Sequence, residues 1–247
     1  MESAEWTSDA LFALHVRPVE RHEDARYQEQ MARHHYLGAL PKIGETVWYV
    51  ALWRDQWVAQ LSLSGAALKC GVRDRWIGWD FRSQYGRLTL ITNNSRFLIL
   101  PDWHRPNLGS RVLALIERRI GADWQARFGH PVLLLETFVD PRRFHGGVYR
   151  AANWIDLGLT QGYRRIRSGY SADADVPKRV FVRPLCRHPQ RQLTHPSPRS
   201  PCTHACRRAW RPRPCPAPLV GDGGALVRGA DRQWSESTAA AHASVRH

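Results

Sequence analysis

Pro131-Val-Leu-Leu-Leu-Glu-Thr-Phe-Val139 is a near-continuous apolar run, and it constrains the fold more than any other stretch of the chain. A run of this kind, without polar alternation, reads as a strand buried on both faces. Such a strand needs helices above and below its sheet, so the chain predicts an α/β architecture. The neighbouring segments can supply them. Leu108 to about Arg119 places Leu108, Val112, Leu115, Ile116 and Arg119 at helical spacing, and Trp124 extends the apolar face after Gly121. Phe144 to Leu157 reads as another helix, ended by Gly158.

The N-terminal half fits the same plan. Ala13–Pro18 reads as a short opening strand, and Glu20–His35 as a charged surface helix with a thin apolar face of Ala25, Met31 and Ala32, stopped at Gly38. Thr46–Trp53 and Trp57–Ser64 are β-branched and aromatic, and Arg54-Asp-Gln56 joins them in a hairpin. Ala66–Gly78 reads as helix and loop. A long strand follows, Arg87–Thr92 and Arg96–Leu100 about an Asn93-Asn94 interruption, then a loop over Pro101–Asn107. Leu159–Ile166 and Arg179–Leu185 predict a last strand pair. Helices alternating with strands imply a mixed, partly parallel sheet with helices on both faces.

That pattern predicts a domain over residues 13–188 and a low-complexity tail over 189–247. Nine of the eleven Trp lie between Trp6 and Trp154, so the capacity to bury a core is upstream. The formal charge of +14 lies elsewhere. Ten Lys/Arg and no acid fall between Val176 and Gly221, and Asp222–His247 balances three bases against three acids, which leaves +4 for the first 175 residues. From Pro189 the chain is rich in His, Pro, Arg, Ser, Cys and Ala, too poor in apolar surface to offset its ordering entropy, and is expected to be disordered. It reads either as a basic arm drawn to phosphate by charge or as the product of a shifted frame in GC-rich DNA. Cys202-x-His204-x-Cys206 lacks a well-formed second ligand pair, so no metal site is expected. One Cys before residue 180, no apolar run of membrane-spanning length and no signal-like N-terminus predict a cytoplasmic protein with no membrane partner.

Several polar groups are conspicuous in apolar surroundings. Glu136 interrupts the buried strand, where an unpaired carboxylate is costly. It is expected either to pair with an arginine, Arg96 being the candidate, or to carry a raised pKa suited to base chemistry. Asn93-Asn94-Ser95-Arg96 breaks a strong strand in the manner of a β-bulge, a device common beside active sites. Arg73-Asp74-Arg75 reads as a solvated face anchored by Trp76 and Trp79, with Arg73 and Asp74 as alternative site residues. His34-His35 reads as a surface turn.

Four ordered motifs carry a family resemblance. They are His35-Tyr36-Leu37-Gly38, Arg73-Asp-Arg-Trp-Ile-Gly-Trp79, Asn94-Ser-Arg-Phe-Leu-Ile-Leu-Pro101, and Glu136-Thr-Phe-Val-Asp-Pro141 followed by Tyr149-Arg-Ala-Ala-Asn-Trp154 and Leu157-Gly158. Over roughly residues 20–190 the chain closely resembles the DruA-like family, whose members occur in Druantia anti-phage defence loci and beside transposases. The resemblance implies an accessory protein of defence or of a mobile element, acting through DNA or another nucleic acid, or through a defence-system or transposase partner protein. A transposon-linked gene that has lost its function is a further reading.

The element order also resembles a GNAT acyltransferase fold. That likeness implies an acetyl-CoA or other acyl-CoA cofactor against the strand Leu88–Leu100. Its pyrophosphate would lie at a helix start formed by Arg105, Leu108, Gly109 and Ser110, where backbone N–H groups favour anions. It further implies Tyr149 as general acid, with Asn153-Trp154 in the matching place downstream, and Glu136 as general base. The chain departs from the GNAT phosphate loop in lacking its central Gly, which permits close backbone approach.

Overall fold

The computed structural model describes residues 11–166, 169–174 and 176–194, all inside the first of the chain's two units, Met1–Pro196. Among the described residues the core is a seven-stranded mixed sheet in the order β1-β2-β3-β4-β5-β9-β6. The strands are β1 (His15–Pro18), β2 (Thr46–Trp53), β3 (Gln56–Gly65), β4 (Ile91–Ile99), β5 (Leu134–Val139), β6 (Ile155–Leu159) and β9 (Arg179–Pro184). β7 (Tyr163–Ile166) and β8 (Gly169–Ala174) pair separately.

β2 is buried at every position because both faces of the sheet are covered. Val47, Tyr49, Ala51 and Trp53 pack with α4 (Leu108–Phe128) on one face. Trp48, Val50 and Leu52 pack with α1 (Asp24–His34) on the other. Arg54 and Asp55 turn β2 into β3 with φ of 47° and 63°, the positive pair that a tight two-residue hairpin requires. On the α1 face, farther along the sheet, α2 (Gly71–Ile77) and α6 (Pro189–Thr194) cover β5 and β9 through Cys70, Ile77, Leu134, Val180, Val182 and Leu193.

β4 and β5 form the parallel pair, and it is short. Ile91, Thr92 and Asn93 face Leu134, Leu135 and Glu136, and the ladder stops there. β4 runs on beside β3 to Ile99, while β5 runs on beside β9 to Val139. The two strands therefore fork beyond Asn93 and Glu136.

The mixed sheet with helices on both faces is the architecture expected, and five local expectations need correction. β9 pairs with β6 over Ile155–Leu159, not with a strand over Leu159–Ile166, and Tyr163–Ile166 pairs instead with β8. Arg87–Leu90 is not strand. α3 (Phe81–Arg87) and a 3-10 turn over Leu88–Leu90 precede β4, and Arg87 is tied to the Thr194 carbonyl, so tertiary contacts override local strand propensity. α4 does not end near Arg119 but runs through Gly121 to Phe128, because Ile116, Ile120 and Trp124 continue its buried face at a cost of about 1 kcal/mol for the glycine.

The helix expected over 144–157 is only α5 (Gly147–Ala151). Gly146 before it has φ +71° and Asn153 after it has φ +60°, and the next residues become edge strand β6. Finally, the expected tail begins too early. Residues 189–194 form α6, with Leu193 fully buried and its carbonyl accepting from Trp79 Nε1 at 2.9 Å. The rest of the expected disordered tail, with Cys202, His204 and Cys206, lies outside the described residues.

Candidate functional site

The base of the β4/β5 fork gathers most of the candidate residues, but on two faces of the sheet. Consecutive strand residues point to opposite faces, so Glu136 turns toward α2 and Thr137 toward α5. Glu136 is fully buried. Its partner is Arg73 of α2, not Arg96: Arg73 Nη1 donates to Glu136 Oε2 at 2.9 Å, and the Ala67 N–H donates to Oε1 at 3.0 Å. Arg73 is equally buried, which corrects the expectation of a solvated face. Its Nε donates to Asp74 Oδ1 at 2.8 Å and its Nη1 to the Ala67 carbonyl at 2.8 Å. Nη2 lies 2.8 Å from the same Asp74 oxygen, without hydrogen-bond alignment. Asp74 Oδ2 accepts from the Cys70 N–H and from Gln84 Nε2. Burial raises the Glu136 pKa and the Arg73 charge pulls it back. Beside it, burial and the Glu136 charge push the Cys70 thiol up to about 11.

On the opposite face Tyr149, 7% exposed, stacks on Phe181 and donates its hydroxyl to Asn94 Oδ1 at 2.8 Å. Thr137 Oγ1 donates to the Asn94 carbonyl at 3.0 Å and lies 3.4 Å from the Tyr149 hydroxyl. These bonds bridge the two strands just where their ladder ends. Burial raises the Tyr149 phenol well above its ordinary value.

Two glycines let α5 sit this close. A Cβ on Gly146 would meet Phe181 at 2.5 Å, and one on Gly109 would meet Val148 at 2.6 Å. A buried polar triad holds the far end. Glu117 of α4 accepts from Trp154 Nε1 at 2.9 Å and from Arg183 Nε at 2.8 Å, and Arg183 also donates to the Asn153 carbonyl. Asn153 therefore acts through its left-handed backbone, and Asn93 stands opposite Glu136 in the parallel ladder.

The interruption in β4 is a β-bulge. Ser62 faces Arg96 while Leu63 faces Asn94, which leaves Ser95 as the extra residue. The bulge has a consequence for the site, since it flips the alternation of the strand. Asn94 faces Tyr149 on the α4 side, and Arg96, Leu98 and Leu100 all come to the α1 side. There Arg96 Nε donates to the Gly38 carbonyl at 3.1 Å and Nη1 to the Ser95 carbonyl at 2.7 Å.

The loop after α1 lies beside it. The chain turns at His35 as expected, but His35 is half-buried within the turn, and burial, then the Arg96 charge, holds its imidazole down at about 4. Tyr36 packs edge-on to Phe144 at 5.2 Å, with the Arg143 guanidinium 5.3 Å over its ring.

At the start of α4, Arg105 is exposed and its carbonyl accepts from the Leu108 N–H at 3.3 Å. Leu108 is core. Ser110 turns its hydroxyl back to the Asn107 carbonyl at 3.1 Å. The Arg111 N–H is taken by Asn107, so Gly109 and Ser110 keep the two N–H groups that a helix start leaves without intrahelical partners.

The sequence singled out neither Thr137, Tyr27, Gln84 nor the Glu117–Arg183 pair. Their signals are single polar residues in amphipathic contexts, which mark nothing until a partner from another element is known.

A family model described as Druantia protein DruA matches residues 7–172, two-thirds of the chain. The chain belongs to that family. Its membership marks a defence-associated domain, and the matched region holds every candidate residue named above. No curated protein matches. Among solved structures, the chain is similar to an aminoglycoside acetyltransferase AAC(6')-Ib in complex with coenzyme A, at 13% identity and TM-score 0.47, covering 73% of this chain and 98% of that one. It is also similar to a GNAT-family acetyltransferase from Streptococcus pneumoniae, at 12% identity and TM-score 0.43, covering 69% and 99%. A third is the ribosomal-protein-S18-alanine N-acetyltransferase from Escherichia coli, at 11% identity and TM-score 0.42, covering 70% and 94%. At such scores neither activity nor cofactor carries over. Among the described residues no helix is long and apolar enough to cross a membrane.

Proposed function

We propose that this DruA-family domain is a binding module of a defence locus or mobile element, one that engages nucleic acid or a partner protein rather than transferring an acyl group. One observation carries the reading: the acid and base that acyl transfer asks for lie on opposite faces of the sheet. The Tyr149 hydroxyl bonds Asn94 on the α4 face, and Glu136 faces α2 with both oxygens occupied by Arg73 and the Ala67 N–H. A carboxylate held this way serves as the counter-charge of a buried guanidinium, and taking a substrate proton would break that pairing.

Electrophoretic mobility shifts with single- and double-stranded DNA, together with pull-down by the full chain, test the reading. Binding is expected to survive truncation after Pro196. If neither nucleic acid nor any protein is retained, or if every shift disappears with the basic tail, the domain has no binding role of its own.

An acyl-CoA-dependent transferase is the second reading. The observation in its favour is the fork itself, which opens beyond Asn93 and Glu136 with Tyr149 at its base. Calorimetric titration of acetyl-CoA into the full chain discriminates: heat at millimolar cofactor or below supports transfer, and no heat removes it.

A further inference from the structure

Arg96 is a cation that among the described residues has carbonyl partners but no carboxylate. It is half-buried, and burial is the leading influence on its guanidinium, pushing the pKa down. Among the described residues four interior arginines meet a carboxylate: Arg73 meets Glu136, Arg183 meets Glu117, Arg119 meets Asp123, and Arg17 meets Glu23. The half-buried Arg87 and Arg111 are held by the Thr194 and Leu11 carbonyls alone. Arg96 meets two carbonyls and no carboxylate. Removing a charge from water without a counter-charge is costly, and what sets Arg96 apart from Arg87 and Arg111 is the set of polar groups left open beside it.

A second, independent observation lies at the same place. Tyr27 is 1% exposed and stacked on Trp48 at 4.5 Å, and among the described residues its hydroxyl has no hydrogen-bond partner. Arg96 is the one charge that acts on it. Asn93 Oδ1, on the same face at the base of the fork, has no partner among the described residues either. Around them stand groups that favour a planar, anionic ligand. The neutral His35 accepts the Leu37 N–H at Nδ1 (3.2 Å), which leaves Nε2 as a donor. Tyr36 offers a partly exposed ring backed by Phe144, and Arg143 adds a second cation at the rim. Asp140, whose charge acts on Tyr36, is held by Arg142 through its N–H and side chain and also feels the Arg143 charge.

We propose that the α1 face of the fork is a phosphate-binding site, with Arg96 as its deep cation, Tyr36 as a stacking surface for the attached base, and Arg143 at its entrance. A guanidinium suits phosphate oxygens geometrically, and an aromatic platform beside a cation is how a nucleotide is held without sequence readout. The ligand is the phosphate of a nucleotide, either free or within a single strand. The proposal deepens the binding reading above by naming the ligand chemistry, and the two can fail separately.

The test is calorimetry on the full chain with inorganic phosphate, adenosine monophosphate and a single-stranded oligonucleotide, using acetate as the control anion. Arg96→Gln is expected to weaken the nucleotide by about tenfold or more, as for a lost charge-assisted bond. Arg143→Gln, at an exposed position that does not threaten folding, is expected to weaken it several-fold. Circular dichroism checks that both variants fold. Monophosphate binding without strand binding supports the site and identifies a free nucleotide as its ligand. Strand binding lost in both variants supports the site and identifies the strand. Strand binding unchanged in both variants, or no binding of any phosphate by the wild type, overturns the site; in the first of these cases the nucleic-acid reading still stands.

Discussion

Arg73 and Arg96 occupy the same face of the sheet on either side of the fork, and both lose water on folding. Arg73 is enclosed completely, and the fold surrounds it with Glu136, Asp74 and the Ala67 carbonyl. Arg96 is only half enclosed, and the fold offers it two carbonyls. The difference separates structure from readiness to bind. A complete counter-charge makes a guanidinium part of the core, whereas an incomplete one leaves a cation whose interactions are finished by something else. It also bears on Glu136, for which the sequence left open an arginine partner or base chemistry, and whose two oxygens accept from Arg73 and the Ala67 N–H.

The comparison can be broken most directly at Arg73. Arg73→Met leaves Glu136 buried without its partner and is expected to cost about 3–5 kcal/mol in denaturant unfolding. The double change with Glu136→Met should recover more than half of that. A single variant as stable as the wild type would show that the pair is not what compensates the buried carboxylate.

The next effect lies with His35, beside Arg96. Its folded pKa near 4 stands below the ordinary 6.5. Between those values the unfolded chain takes up a proton that the folded one refuses, so stability is full above about pH 6.5 and falls as the pH drops to about 4. The loss is at most about 3 kcal/mol, less where solvent screens the half-buried ring, and His35→Gln should flatten it in unfolding curves measured across that range.

Tyr149→Phe keeps the ring on Phe181 and removes the bond to Asn94, with an expected loss of about 1 kcal/mol. If the domain binds rather than catalyses, its ligand affinity stays unchanged, and a loss of turnover in an acyl-transfer assay would restore Tyr149 as a chemical group. The smallest effect sharpens the comparison by its sign. Arg96→Met removes a cation with no counter-charge, so stability should change by less than about 1 kcal/mol in either direction, against the large loss at Arg73. Equal losses at both positions would erase the distinction.

Much of the fold was legible because it is written in local patterns. The hairpin over Thr46–Ser64, the start of α4, and the doubly buried strand ending at Val139 each repeat apolar residues at a period that only one backbone geometry satisfies. The bulge at Ser95 was legible as well, since polar residues inside a strong strand have few explanations. The short elements were not. α5 stops after five residues because Asn153 adopts a left-handed backbone, and α6 exists because Leu193 and Pro189 find a place against α2. Neither cause is present in the segment's own periodicity.

The residues of the site divide in the same way. By itself the sequence marked Glu136 in an apolar strand and the polar run ending at Arg96 as out of place, whereas Arg73 read as part of a solvated face. It could not determine their partners, because a salt bridge between residues 73 and 136, or a hydrogen bond between 94 and 149, depends on which elements the sheet order brings together. Only the tertiary structure decided that Glu136 meets Arg73 and that among the described residues Arg96 meets no carboxylate. The bulge turned Arg96 to the α1 face, and α2 had already brought its guanidinium to Glu136, so a shift of one residue in strand register separated a core cation from an available one.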